Sequence, residues 1–176
     1  MTTNIEYAIE HLTLADIPRF YEEKIIMSEY PKQDKKVILC ISNNIRITGN
    51  INIVGRSTFK HLEDSDPDIV MYDTCTEGGK EHKTLLVSKS QVYWIDPIDD
   101  TGEKQNMGKW KQVKLKLTND QEIAGEVDIT GFNRVSDYFL AYSNRFYEIY
   151  ECSIADKKYD LLFISSDHVL WKEPID

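Results

Sequence analysis

The chain echoes itself. Val37-Ile38-Leu39-Cys40-Ile41 returns as Val113-Lys114-Leu115-Lys116-Leu117, and Ile47-Thr48-Gly49-Asn50-Ile51-Asn52-Ile53 returns as Ile123-Ala124-Gly125-Glu126-Val127-Asp128-Ile129, both 76 positions later. Leu85-Leu86-Val87-Ser88 matches Leu162-Phe163-Ile164-Ser165, and Val92-Tyr93-Trp94-Ile95-Asp96-Pro97 matches Val169-Leu170-Trp171-Lys172-Glu173-Pro174, now 77 apart. A one-residue drift is what a loop insertion produces. Four matched segments in one order restrict the chain to two copies of a small unit. Unit one spans 34–98 and unit two 112–176. Residues 99–111 are polar and contain Gly102 and Gly108, so they read as a linker. Residues 1–33 form an N-terminal extension, in which Ile17, Phe20, Tyr21 and Ile25 have helical spacing and Pro18 suits a first-turn position after Asp16, although 23–30 also fits a strand.

Within each unit the apolar residues alternate. Val37, Leu39 and Ile41, then Ile45, Ile47, Gly49, Ile51 and Ile53, run at period two, as do Val113, Leu115, Leu117, Ile123, Gly125, Val127 and Ile129. Strict alternation marks strands with one buried face. The pattern directs Leu39, Ile47, Ile51, Val87, Leu115, Ile123, Val127 and Ile164 inward. Asn43-Asn44 and Asn119-Asp120 tolerate left-handed backbone and supply hairpin turns. Gly49 and Gly125 stand mid-strand, where a glycine permits a bend or a close approach. Third strands are predicted near 69–72 and 146–150, fourth strands over 85–88 and 161–165, and fifth strands over 92–95 and 169–171, with Pro97 and Pro174 ending the pattern. Ile occurs 20 times and Ala 5 times, and β-branched and aromatic residues make up about a third of the chain, which favours strands throughout. The predicted fold is all-β: two tandem five-stranded small barrels with a short N-terminal helix.

The net charge of −9 over 176 residues argues against a general nucleic-acid binder, which needs a basic footprint. Unit one carries 8 basic and 9 acidic residues and unit two 7 and 12, so a polyanion would meet unit one. No apolar run reaches the ~18 residues of a membrane span, and the first residues lack a basic start and apolar stretch; the expected location is the cytoplasm, with no membrane contact. Three scattered cysteines, Cys40, Cys75 and Cys152, read as reduced, buried thiols.

The five-strand units resemble the Sm-like family of SH3-type barrels. Leu117-Thr118-Asn119-Asp120-Gln121-Glu122-Ile123-Ala124-Gly125-Glu126-Val127 is similar to the family's first motif, and Leu161–Trp171 to its second in hydrophobicity. Arg134-Val135-Ser136-Asp137-Tyr138-Phe139-Leu140 is similar to a stretch in small bacterial domains of this shape. The family's Arg-Gly is replaced by Lys89-Ser90 in unit one and Ser166-Asp167 in unit two, and its Asp-x-x-Asn is absent. The resemblance therefore implies the fold without the groups that clamp an RNA base.

No catalytic, cofactor or metal constellation is legible. His11, His61, His82 and His168 are dispersed without ligand spacing. The acidic run 63–68 lacks the Gly and Glu of a calcium loop and reads as a solvated loop between strands two and three. Ser165, Asp167 and His168 are sequence neighbours, whereas a triad converges from separate elements. The function expected is a non-catalytic assembly module that takes a protein partner or self-associates by pairing a fourth strand with a fifth. The alternative is a divergent binder of single-stranded RNA. Arg56, Lys89, Tyr138, Tyr142 and Tyr147 are the expected interaction surface, because basic groups attract phosphate and outward aromatics are enriched at contacts.

Overall fold

A computed structural model describes residues 32–54, 57–100, 104 and 107–175. The N-terminal helix expected before residue 33, and Arg56, lie outside the described residues. The elements run β1 (Lys32–Ile41), β2 (Ile45–Val54), α1 (Thr58–Leu62), β3 (Asp68–Thr76), β4 (Glu81–Ser88), β5 (Val92–Asp96), β6 (Trp110–Leu117), β7 (Glu122–Asp128), α2 (Val135–Ala141), β8 (Phe146–Ile154), β9 (Lys157–Ser165) and β10 (Val169–Pro174). Tight turns at Ser42–Asn44, Lys89–Gln91 and Ser166–His168 join the closest neighbours.

The ten strands among the described residues share one antiparallel sheet in the order β10-β6-β7-β8-β9-β5-β1-β2-β3-β4. The all-β expectation holds. The sheet is not split into two, however: β5 and β9 hydrogen-bond to each other and join the halves. It does not close, and β10 and β4 lie at its ends.

The alternation read in the sequence sets the register. Val37 faces Gly49 and Val113 faces Gly125 across matching hairpins. The ladder slips at the same place in both halves, between Thr48 and Asn50 and between Ala124 and Glu126. Left-handed residues recur as well: Asn44 and Asp120 in the first turns, Asp73 and Glu151 within β3 and β8, and Gly79 and Ala155 in the following turns. All eight residues expected to point inward are buried.

Two short helices replace what the sequence suggested was loop and strand. Ser57 caps α1, its hydroxyl accepting from the Lys60 N–H, and Thr58 and Leu62 are buried beneath it. α2 folds the aromatic stretch after Arg134 into helix and buries Val135 and Tyr138. At five and seven residues, both are far below the length at which a helix announces itself; tertiary packing holds them.

The two cores do not divide along the chain. One gathers Val113, Leu115, Ile123, Val127 and Ile149 of the second half but also Cys40 and Trp94 of the first. The other gathers Leu39, Ile47, Ile51 and Met71 of the first half with Phe146, Leu161 and Phe163 of the second.

The two strand glycines are places of close approach. A Cβ on Gly125 would lie 2.5 Å from Cys152 Cβ and 2.9 Å from the Tyr150 carbonyl oxygen, and one on Gly49 would lie 2.6 Å from Thr74 Cγ2. Backbone cannot yield as a flexible side chain does. Gly125→Ala is expected to destabilise the protein by about 1–3 kcal/mol in a denaturant titration, while Gly78→Ala, whose Cβ would meet nothing nearer than 4.0 Å, serves as the neutral control.

Candidate functional site

The joint between the halves is built by β5 and β9, with Trp94 opposite Ile164 and Ile95 opposite Phe163. Two side chains cross it as knobs. Trp94 is 1% exposed, its Nε1 donates to Gln121 Oε1 at 2.8 Å, and its ring lies 5.8 Å from Tyr159. Phe163 is 2% exposed and lies 5.7 Å from Phe59 on α1. Polar contacts pin the flanks. Glu63, which ends α1, accepts the backbone N–H groups of Arg145 and Phe146, both at 2.8 Å, and so serves the start of β8. Asn119 donates to Asn44 at 2.6 Å between the two hairpin turns.

His168 joins the halves too. Its Nε2 lies 2.8 Å from the Ser90 carbonyl oxygen, which only accepts, so Nε2 carries the proton and Nδ1 receives the Thr118 hydroxyl at 3.4 Å. Both ring nitrogens are thereby committed away from Ser165, whose buried hydroxyl has no hydrogen-bond partner among the described residues. The Ser166–His168 stretch is a tight turn.

The free edges contrast with the joint. On β9, residues Leu161 through Ser165 are all buried; on β4, Thr84 and Leu86 are exposed and Leu85 is half-buried. On β5, Trp94 and Ile95 are buried; on β10, Leu170 and Trp171 are exposed. Matched strands thus differ by whether a neighbour pairs with them. Open cavities lie against both edges. One of about 430 Å³ is lined by Asp73, Thr74, Cys75, Glu81, His82 and Lys83. Another of about 380 Å³ runs between α2 and β10.

The residues expected to form the interaction surface are placed differently. Lys89 is 2% exposed; its Nζ donates to the Asp64 carbonyl oxygen at 2.8 Å, and burial, reinforced by Arg145, lowers its pKa. Tyr138 and Tyr147 are buried and Tyr142 half-buried. Their rings pack on one another, with Tyr138–Tyr142 centroids 5.1 Å and Tyr142–Tyr147 centroids 4.7 Å apart. Lys172 caps the group, its Nζ 4.7 Å above the Tyr147 ring and donating to that hydroxyl at 2.6 Å. α2 carries Tyr138 and ends at Tyr142, and β8 brings Tyr147 against them. The residues that sequence reasoning missed are Leu86, Leu170 and the Glu63 clamp. Leu86 and Leu170 were hidden because an apolar strand residue looks the same at an edge as in a core.

Burial also sets the chemistry of the thiols and acids. Cys40 and Cys152 are raised to about 11 and about 12 by burial, so neither is a nucleophile near neutral pH. Cys75, expected to be buried, is exposed, because it points off the outer face of β3. Among the described residues no group of three or more His, Cys, Asp and Glu is placed to hold a metal ion, and no helix is long and apolar enough to cross a membrane.

Comparison with models of protein families, with curated proteins and with solved structures found no match.

Glu148, opposite Phe163 on β8, has its pKa raised by burial, opposed by the Tyr150 hydroxyl and reinforced by Glu63. A carboxyl with a raised folded-state pKa stabilises the fold fully below its unfolded pKa, and that contribution is lost as pH rises through the folded value. Glu148→Gln is therefore expected to raise the melting temperature at pH 7, with the difference closing as the pH falls toward 4. A variant destabilised at pH 7 and unchanged at pH 4 would contradict this assignment.

Proposed function

We propose that the protein is a non-catalytic assembly module, built as a tandem pair of Sm-like, SH3-type five-stranded barrels, that associates by adding strands at its two open edges. Support for the tandem reading comes from the order fifth-first-second-third-fourth strand, which recurs in each half, and from the matched hairpin registers and slips. The β5–β9 ladder is the observation that carries the assembly reading. It pairs the fifth strand of one half with the fourth of the other. Its two halves are present a second time as β4 and β10, each with a row of backbone donors and acceptors that no other strand pairs among the described residues. A free sheet edge is a template for another strand, and main-chain bonds give such pairing its affinity.

The alternative, binding of single-stranded RNA, needs exposed aromatic rings and a basic groove. Burial of Lys89, Tyr138 and Tyr147, together with the net charge of −9, favours assembly over it.

Light scattering over a range of protein concentrations, with and without a mixed RNA pool at low salt, separates the two. Mass that grows with concentration and ignores RNA is the expected result. A constant one-chain mass together with submicromolar RNA binding at about 150 mM salt would overturn the assembly reading, since a binder that depends on phosphate contacts loses affinity steeply with salt.

A further inference from the structure

The internal joint is a template for an external one. In unit one, Phe163 of β9 fills the slot between α1 and β5. The corresponding slot of unit two, between α2 and β10, is the open groove of about 380 Å³ bordered by Val135, Phe139, Leu140, Leu170 and Trp171. The side chain at the place of Phe163 on β4 is Leu86, and it is 63% exposed. The second knob repeats the relation. Trp94 enters the second half's core beside the cross-strand pair Cys152 and Tyr159. The matching pair on β3 and β4 is Thr74 and His82, and both line the open cavity of about 430 Å³. The side chain at the place of Trp94 is Trp171, and it is 41% exposed. Two knobs and two holes, paired inside the chain, stand unpaired among the described residues at the two ends of the sheet.

We propose that a second copy of this chain is the occupant of both edges. β10 of one copy adds antiparallel to β4 of the next, with Trp171 opposite Val87 and Lys172 opposite Leu86. Leu86 then enters the α2–β10 groove and Trp171 the β3–β4 cavity. The inference rests on the assembly reading and names its partner. The same register sets Glu173 diagonally across from Lys83 on one face, an attractive pair at cross-strand distance. β4 and β10 are different surfaces, so the contact is head to tail and generates a ring or an open chain of copies rather than a two-fold dimer. It is weaker than the internal joint. Leucine fills less of a slot than phenylalanine, and where Glu63 ends α1 and clamps β8, Tyr142 ends α2 and offers no carboxylate. Association is therefore concentration-dependent.

Leu86→Asp and Trp171→Asp place a charge on each edge in turn, at side chains exposed enough that circular dichroism is expected to stay unchanged. By light scattering, the parent protein is expected to grow in mass with concentration and each variant alone to remain at one chain. An equimolar mixture is expected to reach two chains and no more, because only the intact β10 of Leu86→Asp and the intact β4 of Trp171→Asp can meet. Cys75 lines the cavity that Trp171 enters, so its reaction with a thiol reagent on the Trp171→Asp chain is expected to slow severalfold when Leu86→Asp is added. A mixture that stays at one chain overturns the proposal. So does either variant assembling alone, which would mean that like edges pair and would leave edge-mediated assembly standing. A parent protein fixed at one-chain mass overturns both.

Discussion

β9 carries Leu161-Leu162-Phe163-Ile164 in succession, and a strand with apolar residues on both faces is stable only where both faces and both edges are covered. β8 covers one edge and β5 the other. Its faces then serve different cores: Leu162 and Ile164 belong to the core of the second half, and Leu161 and Phe163 to that of the first. β5 does the converse, with Val92 and Ile95 in one core and Trp94 in the other. Pairing these strands thus completes both cores at once. Removing Phe163 to alanine would be felt across the joint, at the cost of about 3–5 kcal/mol typical of a lost buried aromatic ring.

A joint of this kind has a direction. It takes the fourth strand of one half and the fifth of the other, and leaves the opposite members at the ends of the sheet. Proteins usually blunt such edges with charge. Here the charges sit at one end of each strand, Glu81 to Lys83 on β4 and Lys172 to Glu173 on β10, while Leu85-Leu86 and Leu170-Trp171 leave the remaining length apolar. The charged segments limit which registers can form, and the apolar segments supply surface to bury.

Much of this architecture is legible in the chain. Period-two alternation located the strands, the Asn and Asp residues located the first hairpin turns, and the paired glycines located the slips in the ladder. The internal repeat foreshadowed strands recurring in the same order. The helices were not legible, because α1 and α2 are too short to show a helical period and are held by packing. Three residues of the expected interaction surface, Lys89, Tyr138 and Tyr147, are buried. Tyr138 was assigned by counting strand alternation through a stretch that is helical, Tyr147 lies on β8 as expected but faces the core, and Lys89 was assigned by its charge alone, although its ammonium is turned inward onto the Asp64 carbonyl. The contacts that matter at the joint, Glu63 to the Arg145 and Phe146 amides and Trp94 to Gln121, link residues far apart in sequence and no local pattern marks them.

β5–β9 pairing, by completing both cores, makes the two halves one cooperative body. Native-state hydrogen exchange at low protein concentration tests it directly. The amides hydrogen-bonded in the β5–β9 ladder are expected to exchange only through global unfolding, with the same free energy as the core of β1 and β6, while those on the outer edges of β4 and β10 exchange quickly. Exchange of the β5–β9 amides through a cheaper opening, with each half still protected, would show two independent units in contact and contradict the account.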